Sequence, residues 1–555
     1  MLLWAPTTIG ASPFGGRVEI HDSRPRVKCA PTEFLAALAH SPGRFGPWPA
    51  VVGFAGMSPS DRPQLVLPHV HSVLPGAAPR VSALPRSRRV YVNRSLRMDR
   101  VEWVGFDMDY TLAIYNQDEI DRLSIEATVR KLVQRGYPPV LAEATFDTRY
   151  AIRGLLIDKK LGHILKMDRY KYVGRAWHGT RELSRDERHA LYHQRKIRVT
   201  AQRYHWIDTL YALPEAALYA GAVDLLDRYG LHVEYAQLFE DIRECIDEAH
   251  RDGAIVDVIA NDLPRFVARD ADLAPTLHKL RSAGKKLFLL TNSRWDYTER
   301  MMTHLLGGAL PEYTSWRQYF DVVSVAAAKP AFFTERRPVL ERVFEDGRWS
   351  TRPAYSLDRG KIYEAGNLKD FERMLNAWGD RILYVGDHIY GDILRSKKES
   401  AWRTAMIVQE MEAEFDALAR TEDDLARLDE LGLRREALED DLRFHQGRLR
   451  ALARGVRAGR EADPAAQDEI TRTVEGLRAA LRALAPEYRA LERAIDARFH
   501  PYWGSLFKQD VELSSFGDQV EAYACLYTAR VSNLLPYSPL HFFRSPRDLM
   551  PHELA

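Results

Sequence analysis

"VEWVGFDMDYTLAIYN", residues 101–116, is the stretch on which the reading of this chain turns. An apolar run, Trp103 to Phe106, breaks off into two aspartates one residue apart, Asp107 and Asp109. The run predicts a buried strand. Two carboxylates at its end carry a desolvation cost of several kcal/mol each unless a cation neutralises them. An Asp-x-Asp pair by itself marks many solvated turns and helix caps; its place directly after a strand makes it a candidate site. Hard oxygen ligands suit Mg2+, which binds through few carboxylates and keeps room for a phosphate.

Working outward, residues 100 to about 410 alternate short apolar runs with helical patterns, which predicts βαβ units and a parallel sheet. Three further runs end in polar residues: "KLFLL" before Thr291 and Asn292, "DVVSV" before "AAAKP" with Lys329, and "RILYV" before Gly386 and Asp387. Ligands of open α/β sheets bind beyond the carboxyl ends of the strands, so the four ends are expected to converge. Thr291 and Asn292 offer a hydroxyl, an amide and backbone N–H groups to an anion. Lys329 adds a fixed positive charge, and Pro330 stiffens its loop. In "YVGDHIYGDILRSKK", Asp387 can complete a metal site, while Asp392 can hold a metal-bound water or orient a neighbouring lysine.

The remaining segments are read around that core. Residues 1–85 are rich in Pro, Gly, Ser and Ala and are expected to be a weakly ordered extension. Residues 86–140 hold the first part of the core. The long interval between Asp109 and Thr291 predicts an inserted cap, placed at 141–205, after which the core resumes over 206–410 with "DTLYALPEAALYAGAVDLLDRYG" as a returning helix. Residues 411–500 shift to Leu, Ala, Arg and Glu, with Val474, Leu477, Leu481, Leu484, Tyr488, Leu491 and Ile495 spaced as an a/d seam. A shorter seam upstream makes this an antiparallel helical hairpin, in which Pro486 is expected to kink or restart the second helix. The aromatic segment 501–555 is expected to pack on the core or on a partner.

Composition sets the outer limits. With 555 residues, 46% hydrophobic and 28% charged, the chain has material for several domains and a large core. A formal net charge of +2 gives no basic field for nucleic acid, and no stretch approaches the ~20 apolar residues of a membrane span. Three scattered cysteines, Cys29, Cys245 and Cys525, suit a reducing, cytoplasmic setting.

The ordered set "DMDYT", "LLTNS", "KP" and "GDHIYGD" resembles the haloacid dehalogenase-like phosphatase superfamily. The longer stretches "RVYVNRSLRMDRVEWVGFDMDYTLAIY", "KPAFF", "ILYVGDHIYGDILRSKK", "GSLF" and "LMPHE" resemble the cytosolic purine 5′-nucleotidase family of IMP-GMP-specific type, from about residue 88 onward. The fold this implies is α/β: a haloacid dehalogenase-like, Rossmann-like parallel-sheet core with an inserted cap domain and a C-terminal helical hairpin. The resemblance implies that Asp107 is the nucleophile, forming an aspartyl-phosphate, and that Asp109 is the acid and base. It also implies that Asp107, the Asp109 carbonyl and Asp387 bind Mg2+ with Asp392 behind them, and that Thr291, Asn292 and Lys329 hold the phosphate.

The substrate so implied is a nucleoside 5′-monophosphate, with recognition by the cap. The candidates there are Arg175, Trp177 and His178 in "VGRAWHG", and Arg198, Gln202 and Arg203 in "KIRVTAQRYHW". The sequence departs from purine-preferring members at "RVTAQ", residues 198–202, where those carry an acidic pair, so the base stays open. A nucleoside phosphotransferase and a phosphatase of another monoester are alternatives within the same chemistry. An assembly or regulatory protein with residual phosphatase activity is the alternative outside it. The hairpin seams and the resemblance favour a homo-oligomer.

Overall fold

The computed structural model describes residues 84–553 apart from 194–196, 200–201, 232, 346, 395–399, 460, 462, 549 and 551–552. The expected extension at 1–85 therefore lies almost wholly outside the described residues.

Ten strands form one sheet. In chain order they are β1 (Tyr91–Val92), β2 (Trp103–Phe106), β3 (Lys286–Leu290), β4 (Val322–Val325), β5 (Val339–Glu345), β6 (Arg348–Pro353), β7 (Ile362–Ala365), β8 (Ile382–Gly386), β9 (Arg403–Ile407) and β10 (Leu526–Thr528). Their spatial order is β1-β10-β9-β8-β2-β3-β4-β7-β5-β6. The seven from β10 to β7 run parallel, and antiparallel strands close both edges. The four polar-ended runs are the adjacent strands β8, β2, β3 and β4, and β2 lies near the middle of the parallel set. All four residues of β2 are buried, as a strand covered on both faces requires. Its register against β3 sets Gly105 opposite Phe288, where a Cβ would stand 2.0 Å from the Phe288 ring. Glycine at 105 lets that ring lie across the central strand.

Between β2 and β3 the chain leaves the sheet and returns. A five-stranded antiparallel sheet covers Leu155–Asp158, His163–Met167, Val173–His178, Arg181–Glu182 and Tyr204–Ile207. Helices α1 (Gln117–Gln134), α2 (Leu213–Arg228) and α3 (Tyr235–Arg251) flank it and pack against one another. The apolar stripe of α3, Leu238, Phe239, Ile242, Cys245, Ile246 and Ala249, is buried among these helices. Helix α4 (Trp295–Leu306) follows β3.

Helices α5 (Glu422–Arg457) and α6 (Pro464–Phe499) pair as the expected hairpin, with Val474, Leu484 and Ile495 buried. Asp463 caps α6 by accepting from Ala466 N–H at 3.0 Å, and Pro464 opens its first turn. No restart occurs at Pro486, which lies inside the continuous helix. Pro486 and Arg482 are both exposed, so the Arg482 carbonyl that the proline leaves unbonded faces water.

The C-terminal segment returns to the core as β10. It is tied to the insertion by Lys166, whose buried amine donates to the carbonyls of Trp503 (2.7 Å), Ser505 (2.6 Å) and Lys508 (2.6 Å). Among the described residues no helix is long and apolar enough to cross a membrane.

Candidate active site

The loops at the carboxyl ends of β8, β2, β3 and β4 meet at the floor of a cavity of about 430 Å³, within the size range of small-molecule sites. Asp107 continues the sheet, its N–H donating to Val385 at 2.9 Å, so its carboxylate is held at the strand end. Lys329 reaches across from the loop after β4. Its Nζ lies 2.9 Å from Asp107 Oδ2 and donates to Asp392 Oδ1 at 2.7 Å and to the Tyr384 hydroxyl at 2.9 Å. Tyr384, in β8, passes its own hydrogen to the Leu290 carbonyl at 3.1 Å. One ammonium is thereby fixed between two motifs by a tyrosine of the sheet.

Asn292 holds the loop that carries this lysine. Its side-chain amide donates to the Lys329 carbonyl at 2.9 Å, and its side-chain oxygen accepts from Lys329 N–H at 2.6 Å. Ala326 and Ala328, at φ 47° and 58°, turn the loop back toward it. Thr291 is fully buried, and its hydroxyl accepts from Ser293 N–H at 3.1 Å, which orders the turn after β3.

Asp109 accepts two hydroxyl hydrogen bonds, from Tyr115 on Oδ1 and from Ser293 on Oδ2, each at 2.6 Å. Asp387 sits on the loop after β8, where a buried arginine of the insertion, Arg153, donates to its backbone carbonyl at 2.8 Å and pairs with Glu410. Gly386 lets Asp392 fold back against the strand, since a Cβ at 386 would come within 2.7 Å of Asp392 Cβ.

Carboxylates outnumber cations here. Burial, with Asp392, Asp109 and Asp387 nearby, pushes Asp107 well above the usual carboxylate range against the pull of Lys329. Burial and then Asp392 push Asp387 up to about 7. Burial works against charge on Lys329, but Asp107 and Asp392 outweigh it and hold the ammonium well above its ordinary value. Oxygens of Asp107, Asp387 and Asp392 all lie within 4.8 Å of one another. Such an excess of negative oxygen donors in a buried cluster fits a hard divalent cation.

The cavity walls come from residues that the sequence did not single out. Tyr110, Tyr115 and Tyr297 line one side, and Tyr211, Glu215 and His250 come from the helical part of the insertion. His388, from the loop of Asp387, also faces the cavity; Asp208, 3.5 Å from its Nε2, raises the imidazole's basicity against the effect of burial. Tyr110 and Tyr115 stand in the opening motif and His388 in the last, so spacing from the aspartates could have pointed to them. Nothing in an amphipathic helix such as α2 or α3 marks which end reaches a cavity.

The six cap candidates lie elsewhere. Among the described residues that line the cavity, none of Arg175, Trp177, His178, Arg198, Gln202 and Arg203 occurs. Arg175 pairs with Asp496 of α6 and donates to the Tyr502 carbonyl, and Trp177 packs between Tyr150, Tyr502 and Trp503. His178 bonds Asp227 at 2.7 Å, and Arg203 is bonded to the buried Asp158. Arg198 and Gln202 are exposed. Arg175 and Trp177 face the hairpin and tail, His178 and Arg203 are bonded within the insertion, and the helices returning from the five-stranded sheet reach the cavity.

A central parallel strand ending in Asp-x-Asp, with an acidic loop on the adjacent β8 and a lysine-bearing loop on β4 two strands away, defines a haloacid dehalogenase-like hydrolase. The chain belongs to the 5′ nucleotidase family, which matches residues 90–555. It is similar to 5′-nucleotidase domain-containing protein 2 of Rattus norvegicus, at 30% identity over 87% of this chain and 83% of that protein. The protein of the same name from Homo sapiens is 29% identical over 86% of this chain and 87% of its own. A solved archaeal β-phosphoglucomutase from a Pyrococcus species, strain ST 04, matches at 10% identity and TM-score 0.26, over 55% of this chain and 86% of its own. The chain is an enzyme of the phosphoric monoester hydrolase class.

Proposed function

We propose that this hydrolase is a Mg2+-dependent 5′-nucleotidase that acts on nucleoside 5′-monophosphates, with IMP and GMP as the first candidates, in the cytoplasm and as a homo-oligomer. The observation that carries the reading is the Asp107–Lys329 contact at 2.9 Å on the floor of the cavity. A carboxylate nucleophile and a cation for the phosphoryl oxygens stand side by side, with Asp109 two residues on. The tyrosine-lined wall supports an aromatic leaving group such as a nucleoside.

In the first step an Asp107 oxygen forms a bond to phosphorus while the bond from phosphorus to the 5′-oxygen breaks, and Asp109 gives that oxygen a proton. In the second, a water oxygen bonds to phosphorus, Asp109 takes the water's proton, and the Asp107–phosphorus bond breaks to restore the carboxylate. Asp107, Asp387 and the Asp109 carbonyl would hold the Mg2+, which when bound supplies polarisation of the phosphoryl oxygens. Asp392 keeps Lys329 in place, and Lys329, with backbone N–H groups around Asn292, takes the other oxygens.

The test is phosphate release from a panel of nucleoside 5′-monophosphates and sugar phosphates by wild type and Asp107→Asn, with and without Mg2+. Mg2+-dependent release from IMP or GMP that Asp107→Asn abolishes is the expected result. Release from sugar phosphates alone would move the substrate, and undiminished release by Asp107→Asn would remove the nucleophile assignment.

A further inference from the structure

Asp109 has to deliver a proton to one oxygen and later collect one from a water that takes nearly the same place. Both transfers fail if the carboxylate turns about its own axis. In this structure neither of its oxygens is free to turn: Ser293 occupies Oδ2, and Tyr115 occupies Oδ1.

The Tyr115 contact is itself directed. The Tyr115 and Tyr297 hydroxyls lie 2.8 Å apart. A tyrosine has one hydrogen to donate, and Tyr115 gives it to Asp109, so Tyr297 donates to the Tyr115 oxygen. Tyr297 stands in the first turn of α4 and Ser293 in the turn before it, while Tyr115 and Asp109 follow β2. The chain of three groups therefore ties the loops of two neighbouring strands through the Asp109 carboxylate. The Tyr115 ring is buried and packs 4.7 Å from the Tyr110 ring, which meets Tyr211 of the insertion at 4.8 Å.

We propose that Tyr115, braced by Tyr297, is a positioning residue that fixes the Asp109 carboxylate for proton transfer to the leaving oxygen. The inference rests on the reading of Asp109 as acid and base. Tyr115 contributes no proton to the balance: its hydrogen stays on its oxygen while the Asp109 proton moves to the 5′-oxygen.

The experiment compares kcat/KM for inosine 5′-monophosphate, whose alkoxide needs a proton to leave, with that for p-nitrophenyl phosphate, whose phenolate does not. In Tyr115→Phe the first is expected to fall about tenfold to a hundredfold, part of the ~10²–10⁴ that a positioned acid or base supplies. The second is expected to stay within about threefold, because phosphoryl transfer to Asp107 then proceeds without the acid. Tyr297→Phe should show the same selectivity with a smaller drop, and it carries the test if Tyr115→Phe does not fold. Equal losses on both substrates, or no loss on either, would overturn the assignment. Asp109→Asn separates the two readings. Selective loss there with none in the tyrosine variants defeats only this inference, whereas an unselective Asp109→Asn defeats the acid–base role itself.

Discussion

Asn292 brackets the Lys329 peptide with two hydrogen bonds, giving its amide hydrogen to the carbonyl at 2.9 Å and taking the N–H at 2.6 Å. A side chain here does what a strand partner does elsewhere: it holds a backbone segment that the sheet no longer reaches. Asn292→Ala should let the lysine drift, and misplacement of about 1 Å costs on the order of a hundredfold in rate. We expect kcat/KM to fall by about that factor with an unchanged circular dichroism spectrum. A variant within twofold of wild type would show that the loop holds itself.

Lys329 is the cation bonded to both Asp107 and Asp392. Lys329→Met keeps the bulk and removes the charge, leaving two buried carboxylates facing each other. Breaking a buried pair in this way costs about 3–5 kcal/mol, to be read from urea unfolding of metal-free protein. A loss under ~1 kcal/mol, the scale of an exposed pair, would mean that the cluster is neutral without its lysine.

Asp387 gives the site a pH dependence. Burial and Asp392 raise it to about 7, so the folded metal-free protein keeps a proton that the unfolded chain, at an ordinary ~3.9, has released. Stability from this group is greatest below pH ~4, falls as pH rises to about 7 and then levels off, over a span of roughly 4 kcal/mol at most. Asp387→Asn should remove that slope and be the more stable protein at pH 8. Mg2+ should also flatten the wild-type curve, since binding displaces the proton. Parallel curves for the two proteins between pH 4 and 8 would contradict the raised value.

Removal of divalent metal should stop turnover. EDTA-treated enzyme that kept its full rate without added Mg2+ would leave the Asp107, Asp387 and Asp392 cluster without a metal function.

Lys166 satisfies three tail carbonyls at once. Lys166→Met leaves them without this donor, and each buried polar group so abandoned costs about 1–3 kcal/mol. The variant should melt earlier and show faster amide exchange around residues 503–508, with KM little changed. Wild-type exchange there would place the hold on the tail elsewhere.

His178→Ala and Tyr211→Ala divide the insertion. His178 bonds Asp227 away from the cavity, whereas Tyr211 lines it. We expect KM to stay within about twofold for the first and to rise about fivefold for the second, the loss of an aromatic contact of about 1 kcal/mol. The reverse order would return recognition to the five-stranded sheet.

Much of the cavity floor was legible in one dimension. A strand must bury its apolar residues and release its polar ones at its end, so "WVGF" before Asp107 and "RILYV" before Asp387 announced both the strands and the positions of the acids. The seam of α6 was likewise written in steps of three and four, because a helix repeats its face locally. Pro486 does not restart the helix, and whether the carbonyl it frees meets water is something the local sequence does not state.

The wall of the cavity was decided only by tertiary structure. Arg175, Trp177 and His178 have the chemistry to bind a base, yet Arg175 and Trp177 face α6 and the tail and His178 is bonded to Asp227 of α2; Tyr211, Glu215 and His250, plain in the sequence, are carried to the cavity by the way α2 and α3 pack. The same holds for Tyr384, which reads as a core aromatic but holds Lys329 through its hydroxyl. By itself the sequence determined which residues carry the charge and at which strand ends, since that follows from local periodicity and the cost of burying an ion. Which surface faces the substrate depends on contacts between segments far apart in the chain, and those exist only once the elements have packed.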